Sequence, residues 1–305
     1  MIEVAIMIEG QTGLNWPRWQ RLAYAVEALG FVGLYRSDHF SDAAPPDQDS
    51  LELWISLAWL ASHTKRIEFG PLVAPVSFRH PTITVRQAAA VDDLSGGRLT
   101  LGLGAGWQER EHRNFGFDLL DIPQRFARFE EALEIVTRLL HSAGPVDFDG
   151  AYYQLHDAVL LPRPLRPHGP PLLIGGKGKR RTLPLAARFA DEWNAVSTPP
   201  ATFVALNAQL DTLLHQFGRQ PQAVRRSLMT SVIFGTDEGE VRRKLRGRNE
   251  AELHAKGAVI GTPSAVVEQL GQYAEAGVQR IMLRWLNLDD LDGLELLAHH
   301  VLPQL

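Results

Sequence analysis

Cysteine is absent from this 305-residue chain, which excludes disulfides, thiolate metal sites and cysteine nucleophiles. Long apolar runs are missing as well. None approaches the roughly 20 residues that span a bilayer, and Met1–Ile8, a short apolar stretch carrying Glu3, lacks a signal-peptide pattern. A surplus of one charge is the third absence, since a formal net charge of −4 exerts no general pull on nucleic acid. The one segment that would favour nucleic acid, the basic stretch Arg242–Arg248, reads as the exposed face of a helix. No internal repeat or low-complexity tract is present. His39, His80 and His112 each follow a strand-like run, but no His-x-His pair accompanies the first strand and Glu9 stands alone there, so no metal is expected. These absences leave a soluble, cytoplasmic protein acting on a small molecule, with neither nucleic acid nor a membrane as partner.

What is there is organised around Arg66–Trp107. Ile67–Val73 is a short apolar run, Thr84–Leu94 has helical apolar spacing, and Leu99–Leu103 is apolar again, which together predict a parallel βαβ unit. The loops after its two strands then open at the carboxyl-terminal edge of the sheet, where α/β folds place their sites. The same alternation starts at Val4–Ile8, Trp16–Leu29 and Val32–Tyr35. It resumes after the middle of the chain with strands at Leu172–Ile174, Ala190–Val196, Ser227–Phe234 and Arg280–Trp285. Eight strands favour closure, so the predicted fold is a (β/α)₈ TIM barrel in one domain, residues 1–305, with insertions after strands 4 and 7. The first insertion would hold a polar connection (Gln108–Ile122), a long helix (Pro123–Leu140) and a hairpin around Asp149-Gly150. A broken helical region over Asp237–Lys256 would form the second.

Several residues at predicted strand ends could carry chemistry. Asp38-His39 puts a carboxylate beside an imidazole that titrates near neutrality and so could move a proton during a redox step. Equally, Asp38 could cap a turn while His39 packs. Glu9, at the end of the first strand, could act as acid or base, orient a substrate, or merely be solvated, and Glu109 and Glu111 after the fourth strand pose the same question. Gly175-Gly176-Lys177-Gly178, leading into a helix near Thr182, suits a phosphate, because glycines admit backbone N–H groups and the helix start adds its positive end. Lys177, Lys179, Arg180 and Arg181 would add charge, together with Arg163 and Arg166 upstream. A solvated basic turn is the plain alternative.

Ser37-Asp38-His39-Phe40, the run PLVAPVSFRHP, Leu94-Ser95-Gly96-Gly97-Arg98, the GLGAGW loop with Glu111-His112, and PLLIGGKGKRRTLPLAARFADEWN occur in an order that resembles the bacterial-luciferase-like flavin and deazaflavin oxidoreductases. The likeness is strongest to their deazaflavin (coenzyme F420) branch. That resemblance implies hydride transfer between a deazaflavin and an organic substrate. His39 and Glu9 would be catalytic and Asp38 would hold the ring system. Leu72-Val73-Ala74 would form a cis-peptide bulge against the ring, Gly104-Ala105-Gly106-Trp107 would lie beside it, and Gly175-Gly176-Lys177-Gly178-Lys179-Arg180 would receive the phosphate and tail. Trp107 occupies the position where related sugar-phosphate dehydrogenases carry a glutamate, which argues for an apolar wall and a different substrate. The insertions would shape the pocket, and a homodimer is expected. An FMN-dependent monooxygenase on the same scaffold, and a barrel that binds flavin without turnover, are the alternatives.

Overall fold

In chain order the strands are β1 (Glu3–Ile8), β2 (Gly33–Arg36), β3 (Glu68–Pro71), β4 (Ala74–Pro75), β5 (Leu101–Gly104), β6 (Val146–Asp149), β7 (Gln154–Ala158), β8 (Leu172–Gly175), β9 (Glu192–Val196), β10 (Arg225–Phe234), β11 (Val259–Gly261) and β12 (Arg280–Arg284). This computed structural model describes residues 2–305. Parallel pairing runs β3-β2-β1-β12-β10-β9-β8-β5-β4. The ring closes where Phe69 of β3 bridges Leu99, its N–H donating to the Arg98 carbonyl at 3.1 Å while its carbonyl accepts from Thr100 N–H at 2.8 Å. β3 and β4 are two halves of one stave, broken at Leu72–Val73: the first half pairs with β2 and the second with β5. The result is the expected eight-stave α/β barrel.

The outer layer is helical: α1 (Trp16–Ala28), α2 (Leu53–His63), α3 (Pro81–Ser95), α4 (Glu109–Phe115), α5 (Ile122–His141), α6 (Thr182–Phe189), α7 (Pro200–Gln216), α8 (Glu238–Leu245), α9 (Glu250–Ala255), α10 (Pro263–Glu275) and α11 (Leu291–Val301). Their starts and stops follow local chemistry. Asp121 caps α5 by accepting from Gln124 N–H at 2.8 Å, and α3 opens with Pro81 in its first turn and ends on Gly96 in the left-handed region. On α5, Phe129, Ala132, Leu133, Val136 and Leu140 recur at three- and four-residue steps and are buried against the barrel. No helix among the described residues is long and apolar enough to cross a membrane.

Two short elements depart from the sequence reading. Within Gln108–Ile122, taken as a connection, Glu109–Phe115 is helical, with Glu109 and Glu111 in its first turn and Gly116 at its end. One or two turns are too short to display an apolar period. β11 is likewise only three residues long and pairs with the far end of β10.

Inside the barrel, Ala5, Met7, Tyr35, Leu72, Leu173, Met229 and Met282 fill the lumen. Its amino-terminal end is closed by charge. Arg280, 1% exposed, meets Glu3 at 2.7 Å, Glu68 at 2.8 Å, Glu192 at 3.7 Å and the Tyr35 hydroxyl at 2.7 Å. Burial works against its charge, but the hydroxyl and the carboxylates outweigh burial and raise its pKa.

Candidate active site

The opposite, carboxyl-terminal end of the barrel opens into a cavity of about 620 Å³. Its floor is apolar, with Met7, Leu72, Val73, Val196 and Met229, and Glu9, His39, Asp42, Trp107 and Arg284 stand around it. The Leu72–Val73 peptide is cis. A β-carbon on Gly104 would lie 2.6 Å from Val73 Cγ2, and one on Gly175 would lie 3.1 Å from Val73 Cγ1. Those two glycines therefore make room for Val73, which projects at the junction of the two half-strands.

His39 is held by a carboxylate in the cavity wall. Its Nδ1 lies 2.7 Å from Glu111 Oε1, and the other oxygen of Glu111 accepts from Phe40 N–H at 3.0 Å. Glu111 is itself 1% exposed, on the first turn of α4. Burial disfavours a charged His39, but the bond to Glu111 and the charges of Glu111, Glu9 and Asp38 more than compensate, so its pKa lies above the ordinary value. Trp107 meets the ring edge-on, with centroids 5.6 Å apart. The neighbouring His112 has the opposite character. Its Nδ1 faces the Gln108 carbonyl at 2.7 Å and its Nε2 faces the Ser77 hydroxyl at 2.7 Å, and burial lowers its pKa. That pattern fits a neutral ring bracing the start of α4.

Glu9 borders the cavity, with Gln11 Nε2 donating to it at 3.1 Å and Arg284 Nη1 at 3.4 Å. Arg284 also donates to Ser231 Oγ at 2.6 Å, while its Nε is buried without a partner. Two further buried atoms at the cavity lack partners: Asn194 Oδ1, whose amide donates to Ser227 Oγ at 2.9 Å, and Gln108 Oε1. Buried polar groups without partners cost free energy. A ligand with hydrogen-bonding edges fits this cavity on that count as well as by volume.

Of the residues singled out from the sequence, Glu9, His39, Leu72, Val73, Gly106, Trp107, Gly175 and Gly176 border the cavity. Ala74 and Ala105 are buried and, with Gly104, lie behind it. Asp38 is not brought there. Its buried carboxylate takes a two-pronged contact from Arg79, at 2.5 and 3.4 Å, and Arg79 reaches on to Glu52 at 2.9 Å. Beside His39, the side chain that turns from this segment toward the cavity is Ser37, which accepts from Gly10 N–H and donates to Gln11. Alternation along a strand end sends Asp38 to the side opposite Ser37 and His39, which both border the cavity.

Lys177, Gly178, Lys179 and Arg180 are exposed and do not border the cavity. Lys177 donates to the Ser197 carbonyl at 3.1 Å, and Arg180 lines a separate groove with Pro123 and Phe126. Arg163 and Arg166 do not join them. Arg166 pairs with Asp92 at 2.6 Å beside Leu99, ahead of β5, and Arg163 bonds the Ser142 carbonyl past the end of α5, so both lie at the amino-terminal end of the barrel. The anticipated pool of charge is thus divided between the two ends. The expectation that the insertion after the fourth stave shapes the pocket holds only at its start: no residue from 112 to 174 borders the cavity. Sequence reasoning did not single out Arg284, Asn194 or Gln108. For Arg284 the available signal was its place as the last residue of the last strand.

A family model described as luciferase-like monooxygenase matches residues 3–251. A 4-hydroxyprotoasukamycin monooxygenase of Streptomyces nodosus subsp. asukaensis is 33% identical over 188 residues, 62% of this chain, and the chain spans about half (49%) of that relative's length. An F420-dependent glucose-6-phosphate dehydrogenase of Kineococcus radiotolerans is 32% identical over 88% of this chain and 78% of its own. An FMNH(2)-dependent dimethylsulfone monooxygenase of Pseudomonas putida is 24% identical over 98% of this chain and 91% of its own. Among solved structures, an F420-dependent secondary alcohol dehydrogenase superposes with a TM-score of 0.86 at 18% identity, over 99% of this chain and 98% of that one.

Proposed function

The chain belongs to the luciferase-like monooxygenase family, and on that premise we propose that it is an oxidoreductase that moves hydride between a deazaflavin, coenzyme F420, and a small organic substrate. The observation that carries this reading is His39: a half-buried imidazole with a raised proton affinity, fixed by the buried Glu111 at the wall of a cavity with an apolar floor. A hydride carrier needs a partner that manages the accompanying proton, and His39 is placed to hold or release one at its Nε2. Met7, Leu72, Val73 and Met229 would lie against the ring system, and Gly175-Gly176 would approach the phosphate. The bound deazaflavin supplies or takes the hydride. Glu9, in reach of Arg284, would orient the substrate, with Trp107 as an apolar wall that also closes the edge of His39.

Cofactor binding tests this directly: tight association with deazaflavin and weak association with FMN supports it. The FMN-dependent monooxygenase is the second reading. It is favoured by the dispersal of the basic residues, since Lys177 is engaged and Arg163 and Arg166 face away, leaving little beyond Lys179 and Arg180 for the carboxylates of a deazaflavin tail. Oxygen consumption with reduced FMN would establish it, and binding of either cofactor without turnover over a substrate panel would point to a non-catalytic barrel. A homodimer in the cytoplasm is the proposed working form, with sedimentation as its check.

A further inference from the structure

Beyond Leu286 lies a second cavity of about 580 Å³ on the same rim. It exists because β10 outruns its neighbour. Pairing with β12 stops at Ser231–Arg284, while β10 continues through Val232–Phe234 with β11 on its other side. The uncovered edge faces Trp285–Asn287, with the end of α8 beside it. The base is apolar, from Val232, Phe234 and Trp285, and the mouth is cationic, from Lys244, Arg246 and Arg248.

Arg246 makes no side-chain hydrogen bond or ion pair among the described residues. Arg248 folds back on the carbonyls of Leu245 and Lys244, each at 2.9 Å. Lys244 is matched by two carboxylates, Asp290 at 3.1 Å and Glu240 at 3.0 Å, and Asp290 also accepts from Gly293 N–H at 2.9 Å, which leaves Arg246 and Arg248 without a carboxylate. Positive charge is therefore in excess here. In the first cavity the balance is reversed on the side of His39, where Glu9, Asp42 and Glu111 gather, and burial together with Glu9 raises the pKa of Asp42. The two spaces meet at Leu286, which borders both, and at the Arg284–Ser231 bond, whose partners border one each.

We propose that the second cavity is an anion subsite, taking a phosphate or carboxylate on an arm of a ligand whose other end occupies the first cavity. Guanidinium forks match such groups, and an anion placed there also relieves the repulsion among Lys244, Arg246 and Arg248. The carboxylates around His39 turn a negative group away from that side, and Leu286 gives an apolar sill for the arm to cross. This rests on the proposed function only for the occupant of the first cavity.

The test is titration of inorganic phosphate into the full chain at low salt, followed by phosphorus NMR. Wild-type protein should bind it saturably. Arg246→Gln/Arg248→Gln should lose that site or weaken it about tenfold, whereas Arg242→Gln/Arg243→Gln, at exposed cations of α8 that border neither cavity, should retain it. Arg246→Gln alone should show an intermediate loss, and a circular dichroism melt confirms that each variant is folded. Unchanged phosphate binding in the folded double variant overturns the subsite, whatever the cofactor proves to be. The source of the anion follows from deazaflavin with and without its tail. If the gain in affinity from the tail disappears in Arg246→Gln/Arg248→Gln, the cofactor fills the subsite. If it persists, the subsite belongs to the substrate.

Discussion

The two ends of this barrel use the same residue type for opposite ends. Arg280 and Arg284 sit four residues apart on β12, so alternation directs both the same way. At the amino-terminal end Arg280 is enclosed by Glu3, Glu68, Glu192 and Tyr35. At the carboxyl-terminal end Arg284 keeps a long contact to Glu9 and an unpartnered Nε, at a cavity where Asn194 and Gln108 also hold unpartnered oxygens. The first end pairs its charges with one another, although Glu192 Oε1 is buried there without a partner. The other holds polar groups in reserve, and it is the end where barrels of this kind place their chemistry.

Substitutions at the two ends should therefore fail differently. His39→Ala is expected to lower turnover by about 10²–10⁴-fold with cofactor affinity nearly unchanged. Steady-state kinetics beside a binding titration checks this, and loss of binding at constant turnover would make His39 a ligand of the cofactor instead. Arg280→Met should do the reverse. Leaving the buried Glu192 without its cation, and Glu3 and Glu68 with only their longer contacts to Arg225, costs about 3–5 kcal/mol of stability, read by denaturant unfolding, while the surviving folded fraction keeps its kcat.

Gly104→Ala brings the comparison to a single contact. Its new β-carbon would press on Val73 at 2.6 Å, costing about 1–3 kcal/mol and disturbing the cavity floor, so affinity for the cofactor and melting temperature should fall together.

Glu111→Gln tests the reserve through pH. Because the folded His39 pKa is raised, any stability it brings is full below its unfolded pKa and is lost as pH rises through the folded value. If His39 donates its proton, activity should decline as that raised pKa is passed, at a higher pH than an ordinary imidazole would set. Glu111→Gln removes the leading cause of the rise and leaves burial, so the decline should move to lower pH. A profile that does not move would leave Glu111 a purely structural anchor. The smallest effect belongs to Lys179→Gln/Arg180→Gln. These exposed cations should change deazaflavin affinity only a few-fold, at about 0.2–1 kcal/mol each, and only at low salt.

Much of this frame was legible in the sequence because it rests on periodicity. Parallel strands buried on both faces read as unbroken apolar runs such as Val4–Ile8, and α5 shows its face plainly. The rim residues Glu9, His39 and Trp107 followed from their position at strand ends. Direction was less legible. Asp38 and His39 are adjacent, yet one turns to Arg79 and the other to Glu111, and both choices depend on partners 41 and 72 residues away. The basic residues after Pro162 form a cluster only along the chain, because Arg166 is drawn to Asp92 at the other end of the barrel. Asn194 offered no signal, since a lone asparagine in an apolar strand reads as an ordinary interior position.

The bond between His39 and Glu111 has a consequence for how such a protein can diverge. Glu111 is the last residue to border the first cavity before the chain leaves it, and Gly175 is the first on its return. The exposed face of α5 and the β6–β7 hairpin lie between, and both could lengthen, shorten or acquire a new surface while the His39–Glu111 contact stays intact. A lineage built on this plan could change what its outer face meets and leave the wall of its cavity as it is.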